Sequence, residues 1–269
     1  MHFILHLRDN EMKYCYHTHT ARCHHASGED EEYVKAAVRA GVRVLGFSDH
    51  APMPYPDGYV SYYKMTPDEL EEYCSSITYL REKYKDKIEI LIGLETEYYP
   101  DLWEKSIDFW RDYPIDYLIL GQHFIRDEGV DPSIRPSDEE ERVKSYVDNV
   151  ITAMRTGLIT YVAHPDLINY AGEDEDFYVS EIKRLINESV RLGMPLEYNL
   201  LGMATGRAYP REVFWQTAGA LGATAVIGCD AHDPTRVAKI EELDKAHSYL
   251  DGLGITVTDE VKLKKPFNK

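Results

Sequence analysis

Val42-Arg-Val-Leu-Gly-Phe-Ser-Asp-His50 decides how the chain is read. Its apolar positions run on without strict alternation, as in a strand buried on both faces of a parallel sheet. It then ends on Asp49 and His50, side chains able to hold a cation or carry a proton. The same form recurs at Lys13–His17, Ile88–Leu94, Tyr117–Leu120, Ile159–Ala163, Pro195–Asn199 and Ala223–Gly228, and a short last strand is expected at Ile255–Val257. Longer segments with helical spacing lie between these runs. Thr66-Pro-Asp-Glu69 and Ser137-Asp-Glu-Glu140 fit capping boxes, and Pro210 and Pro234 suit first helical positions. Ile182, Leu185, Ile186, Ser189 and Val190 have the spacing of one buried helix face. Repeated strand–helix units with no linker argue for an α/β barrel or a wound sheet. A single domain over residues 1–269 is expected, with residues 1–11 a ragged leader or extra strand and Met12 a natural start.

Composition narrows the function classes. The 269 residues are 43% apolar and 29% charged, as in an ordinary soluble domain. A net charge of −17 argues against tracking an extended nucleic acid, which rests on basic patches. No stretch approaches the roughly 18–20 apolar residues of a membrane helix. Met1-His-Phe-Ile-Leu-His-Leu-Arg8 is too short for a secretory signal. Cys15, Cys23, Cys74 and Cys229 include no C-x-x-C pair and read as reduced thiols of a cytoplasmic protein.

The strand ends carry the chemistry. They supply His17 and His19 with His25 just beyond, then Asp49 and His50, Glu95 with Glu97, His123, His164 with Asp166, Glu197 with Asn199, and Asp230 with His232. In a parallel barrel the carboxyl ends of the strands share one face, so residues scattered over the chain converge on one pocket. Imidazole mixed with carboxylate suits zinc, iron or manganese. A multinuclear metal site is expected.

Taken in order, His17-Thr-His19, His25, Phe47-Ser-Asp-His50, Gly93-Leu-Glu95, Gly121-Gln-His-Phe124, Ala163-His-Pro-Asp-Leu167 and Gly228-Cys-Asp-Ala-His232 resemble the motifs of the PHP (polymerase and histidinol phosphatase) family. The likeness covers about residues 13–240 and is nearest to the histidinol-phosphatase type. It implies a distorted (β/α)7 TIM-like barrel holding three divalent ions (zinc, iron or manganese). One ion would sit on His17, His19, Glu95 and Asp230. Glu95 would bridge to a second, held also by His123 and His164, and the third would take His25, His50 and His232. The implied activity is metal-dependent hydrolysis of a small phosphorylated metabolite, L-histidinol phosphate first, as in histidine biosynthesis.

Such a reaction needs a nucleophile near neutral pH, neutralisation of the phosphoryl oxygens and a proton for the leaving alkoxide. A water between divalent metals ionises far below its bulk pKa of about 15.7. Arg207 is the first choice for a phosphate contact, with Gly202 and Gly206 letting its loop turn inward, and Arg22 is the second. Arg126 and Arg135 are candidates for lid contacts. Asp166 is expected to orient His164 or protonate the leaving group, Asp49 to support His50, and Glu97 to stand behind the ligands. Tyr55, Tyr59, Tyr62 and Tyr63 could stack on a substrate ring or simply pack a long loop. Histidinol-phosphatase relatives are expected to carry a basic residue after His-x-Asp-Leu; Ile168-Asn169-Tyr170 supplies none. Three other readings stay open: a phosphoesterase for nucleotides or short oligonucleotides, an amidohydrolase-like C–N hydrolase, and a non-catalytic metal-binding domain.

Overall fold

A computed structural model of the chain describes residues 11–56, 58–126, 128–129 and 131–267. The expected leader falls almost wholly on residues 1–10, outside the described residues. Eight parallel strands pair in chain order: β1 (Tyr14–Cys15), β2 (Val44–His50), β3 (Glu89–Thr96), β4 (Tyr117–Leu120), β5 (Ile159–Val162), β6 (Leu196–Asn199), β7 (Thr224–Gly228) and β8 (Thr256–Val257). Helices α1 (Asp30–Arg39), α2 (Leu70–Tyr84), α3 (Trp103–Trp110), α4 (Glu140–Arg155), α5 (Glu175–Leu192), α6 (Leu200–Thr205), α7 (Glu212–Ala220) and α8 (Ile240–Gly252) alternate with them.

Seven strands close on themselves at the carboxyl-end rim. Thr18, just past β1, bridges in parallel to Ala231, just past β7. The His19 amide donates to the Ala231 carbonyl at 3.0 Å, and the Ala231 amide to the His17 carbonyl at 3.3 Å. β8 pairs only with the start of β7, at Thr224 and Ala225, and stands outside this closure. The result is the distorted barrel that the family resemblance implied.

The continuous apolar runs resolve into two environments. Val44 on β2, Leu91 on β3, Tyr117 and Ile119 on β4 and Tyr161 on β5 pack together inside the barrel. Their neighbours Leu45, Phe47, Ile90, Ile92, Leu118 and Leu120 belong to the larger core that includes the helices. Period-two alternation is therefore kept, but both faces are dry. The Tyr117 hydroxyl crosses the interior to donate to the Tyr16 carbonyl at 2.6 Å.

Local expectations fared unevenly. Thr66 and Glu69 do form a capping box, leading through a 3₁₀ turn into α2. At α4 the N-cap is Glu139, and Ser137 instead accepts from the Glu139 amide at 3.2 Å. Pro210 precedes Arg211, the N-cap of α7, so it lies outside the first turn. Val190 is 41% exposed although Ile182, Leu185, Ile186 and Ser189 are buried. Eight residues past Ile182 it has rotated about 80° around the helix, to the margin of the apolar stripe. All four cysteines are free and buried. Among the described residues no helix is long and apolar enough to cross a membrane.

Candidate metal centre

Glu95, near the carboxyl end of β3, is the hub of the rim. Its Oε1 lies 2.9 Å from His164 Nε2, 3.5 Å from His17 Nε2 and 3.6 Å from His123 Nε2. Its Oε2 lies 3.0 Å from His50 Nδ1 and 3.5 Å from His19 Nε2. Asp230 Oδ1 lies 3.1 Å from His19 Nε2, 3.3 Å from His232 Nδ1 and 3.6 Å from His17 Nε2. His232 Nε2 is 3.0 Å from His25 Nε2. The nine donors named from the motifs thus come to one place.

Both Glu95 oxygens and His164 Nδ1 are buried without a hydrogen bond of good geometry. A buried, unsatisfied charged acceptor costs at least about 1–3 kcal/mol. Carboxylate oxygens that sit among imidazole nitrogens without a hydrogen bond have the arrangement of ligands around a shared cation. His17, His19 and Glu95 offer ligand atoms all within 4.8 Å of one another, as do His17, His164 and Asp230, and His19, His50 and His232. The residues therefore fit divalent ions.

The electrostatics couple these groups strongly: against burial, the surrounding carboxylates raise His17, His19 and His164. Burial alone would raise Glu95, yet His123, His17 and His50 hold its carboxyl well below the usual carboxylate range. Burial likewise opposes ionisation of Asp230, and His17 and His19 overcome it. Burial and the neighbouring His19 push His50 well down and His232 down to about 3, so both rings are neutral donors at pH 7. Two motif glycines make room for carboxylates. A Cβ on Gly121 would lie 1.9 Å from Glu95 Oε1, and one on Gly228 would lie 1.8 Å from Glu197 Oε1. His164 and Asp230 adopt positive φ, 28° and 48°, strain of the kind that collects at functional sites.

Behind the rings stands an outer set. Glu197 Oε1 holds His17 Nδ1 at 2.6 Å, Asp49 Oδ1 holds His19 Nδ1 at 3.2 Å, and Glu97 Oε1 meets His123 Nδ1 at 3.3 Å. Such partners fix the tautomer and aim of a ligating imidazole. Asp49 was expected to support His50; it accepts that residue's backbone amide at 2.8 Å, but the ring it carries is that of His19. Asn199 donates to Glu197 at 2.9 Å and to Asp230 at 3.1 Å. Sequence reasoning passed over Lys64. It is 2% exposed, with Nζ 2.6 Å from Glu97 and 3.0 Å from Glu128. Burial would lower its pKa, but the two carboxylates raise it, so the ammonium stays charged.

A cavity of about 540 Å³ opens over the rim, walled by Tyr63, Lys64, Phe124, Ile134, Leu201 and Arg207. Arg207 lines the cavity and donates to the Tyr209 hydroxyl at 2.9 Å. Arg22 was expected as the second phosphate contact. Its guanidinium is taken by Asp30 at 2.8–3.0 Å and by Glu72, and it stacks on Tyr73. Asp166 was expected to orient His164 or protonate the leaving group. One carboxylate oxygen accepts from the Arg211 amide at 2.6 Å and the Trp215 indole at 3.0 Å, so it anchors the start of α7. Arg135 pairs with Asp131 at 3.0 Å, and Arg126 is exposed. Of the four tyrosines, Tyr63 lines the cavity, Tyr55 bonds Glu128 and packs against Tyr59, and Tyr62 is 79% exposed. Asn169 ties down the 131–135 loop through the Ile134 carbonyl at 3.1 Å.

Residues 16–199 match the PHP domain family. The chain belongs to that family. A Deinococcus radiodurans protein named "Probable histidinol-phosphatase" is 30% identical over 258 residues, covering 93% of this chain and 97% of its own length. The Bacillus subtilis histidinol-phosphatase is 24% identical over 249 residues, covering 80% of this chain and 92% of its own. Among solved structures, the Lactococcus lactis histidinol phosphate phosphatase, crystallised with zinc, L-histidinol and phosphate, superposes with a TM-score of 0.71 at 18% identity. It covers 93% of this chain and 99% of that one, and shares the fold.

Within this PHP domain the anchoring role of Asp166 is measurable. Burial raises its pKa from 3.8 to about 6, against the opposing Arg211 and Trp215 donors. A group that binds its proton more tightly when folded contributes stability below about pH 4 and loses it as pH rises through about 6, here about 3 kcal/mol at 1.36 kcal/mol per pH unit. Asp166→Asn keeps an acceptor for both bonds and removes the charge. Urea midpoints should therefore fall between pH 4 and 6 in the unaltered protein relative to Asp166→Asn. Parallel midpoints across that range would refute the assignment.

Proposed function

We propose that this PHP domain is a metal-dependent phosphomonoesterase acting on a small phosphorylated metabolite, with L-histidinol phosphate the leading substrate. One observation carries the reading: a buried carboxylate with no hydrogen bond is ringed by imidazoles, of which His50 and His123 line a cavity whose wall also bears Arg207. The relatives' names support the substrate.

Three ions are assigned. His17, His19, Glu95 and Asp230 would hold one; Glu95, His123 and His164 would hold a second; His25, His50 and His232 would hold the third. When bound, divalent cations there supply positive charge opposite the phosphoryl oxygens and bring the pKa of water from about 15.7 to about 7. The chain's own residues do the rest. Arg207, braced by the Tyr209 hydroxyl, presents a planar fork to two phosphoryl oxygens. Asp166 positions that arginine's loop by holding Arg211 and Trp215. Tyr63, Phe124, Ile134 and Leu201 exclude water and take the organic part of the ester.

Protein reconstituted with zinc, manganese or iron should release phosphate from L-histidinol phosphate faster than from nucleoside monophosphates, bisphosphates or a cyclic ester. Preference for the nucleotides would replace the substrate and keep the reaction class. No turnover of any phosphoester by metal-loaded protein would reject the class.

A further inference from the structure

We infer that Lys64 is a positioning residue for the metal centre, acting on His123 through Glu97; this rests on the cage proposed above. The juxtaposition is specific. Glu97 Oε1 is met by Lys64 Nζ at 2.6 Å and by His123 Nδ1 at 3.3 Å, while Glu97 Oε2 takes the Tyr99 hydroxyl. Both oxygens of Glu97 are therefore engaged, and its place is set by three segments at once. His123 needs such support more than its neighbours, because its side chain is 26% exposed where those of His17, His19 and His164 are at most 1% exposed. A ring packed on every side is held by contact. A ring at the cavity edge is held by its hydrogen bond.

Lys64 also joins the cavity's two loop walls to the rim. It follows Tyr63 on one loop, its Nζ lies 5.8 Å from the ring centre of Phe124 on the other, and it pairs with Glu128. Lys64 and the Tyr55 hydroxyl both meet Glu128 Oε2, and Glu128 Oε1 is buried without a hydrogen bond. The cluster thus holds two carboxylates and one ammonium in a dry place, where breaking one pair leaves a charge exposed to a low dielectric. A lysine kept there at that cost, touching a carboxylate that touches a ligand ring, has a geometric duty beyond bulk. Carboxylates and other groups behind a metal's ligands typically change its affinity 10–100-fold when removed.

The zinc-loaded full chain is titrated against a chromophoric chelator, and the cobalt-substituted protein is read by visible absorption. Glu97→Gln should weaken one of the bound ions about 10–100-fold. Lys64→Met alone leaves two buried carboxylates, so it is paired with Glu128→Gln; that double variant should weaken the same ion and alter the cobalt spectrum. Lys64→Met/Glu97→Gln/Glu128→Gln should bind no more weakly than Glu97→Gln/Glu128→Gln, since a residue acting through another adds nothing once the other is gone. A further loss in that variant, or unchanged zinc affinity in folded Lys64→Met/Glu128→Gln, overturns the proposal. Unaltered protein that takes up no zinc overturns the cage and this inference together.

Discussion

Glu95→Ala is expected to abolish turnover and to cost the protein its tightest metal. The carboxylate's two oxygens face five imidazole rings, at 2.9–3.6 Å. Its removal deprives two of the assigned ions of a shared anionic ligand at once. We expect kcat/KM to fall by at least ~10³-fold, about 4 kcal/mol of transition-state stabilisation. Thermal stability separates this from misfolding. Anything that binds only the folded state stabilises it by about 4.1 kcal/mol at a thousand times Kd. Zinc should therefore raise the Tm of the unaltered protein and leave that of Glu95→Ala near its metal-free value. A variant that keeps both the zinc-dependent Tm rise and turnover would remove Glu95 from the hub.

Arg207→Met is expected to lower kcat/KM about 10²-fold, or about 2.7 kcal/mol. A bidentate guanidinium–phosphate pair has charge and fixed geometry together. Methionine fills similar space and supplies neither. Lysine restores the charge as a point and not the fork, so Arg207→Lys should recover only part of the loss. Competitive inhibition by inorganic phosphate should weaken in step, which a general loss of structure would not produce at unchanged metal content. Phosphate inhibition that does not change in Arg207→Met would place the phosphate grip elsewhere.

The donor set was legible because it rides on the most regular part of the chain. A strand's side chains alternate in direction, and parallel strands in a closed barrel end on one face. His17 with His19, Asp230 with His232, and Glu95 at the end of its run could therefore be set on one rim from periodicity and order. Even the glycines of Gly121-Gln-His and Gly228-Cys-Asp belong to that pattern, since larger residues would collide with Glu95 and Glu197. The outer set was half legible. Glu97, Glu197 and Asn199 stood out as polar residues at strand ends, but which ring each would carry did not, and Asp49 went to His19 rather than to the His50 ring beside it.

By itself, then, the order of residues determined the strand–helix alternation, the shared rim and the kind of atoms that gather there. Only the tertiary structure decided what each long polar side chain would hold. Arg22 sits between His19 and His25 in the chain yet is claimed by Glu72, fifty positions away. Asp166 lies two residues from His164 and turns to Trp215, forty-nine positions on. Lys64, in a loop with no motif, reaches the back of the cage. Short side chains on strands inherit their direction from the backbone period. Arginine, lysine and loop carboxylates have many rotamers, and their choice follows the opposite charge that folding brings within reach, which no local pattern encodes.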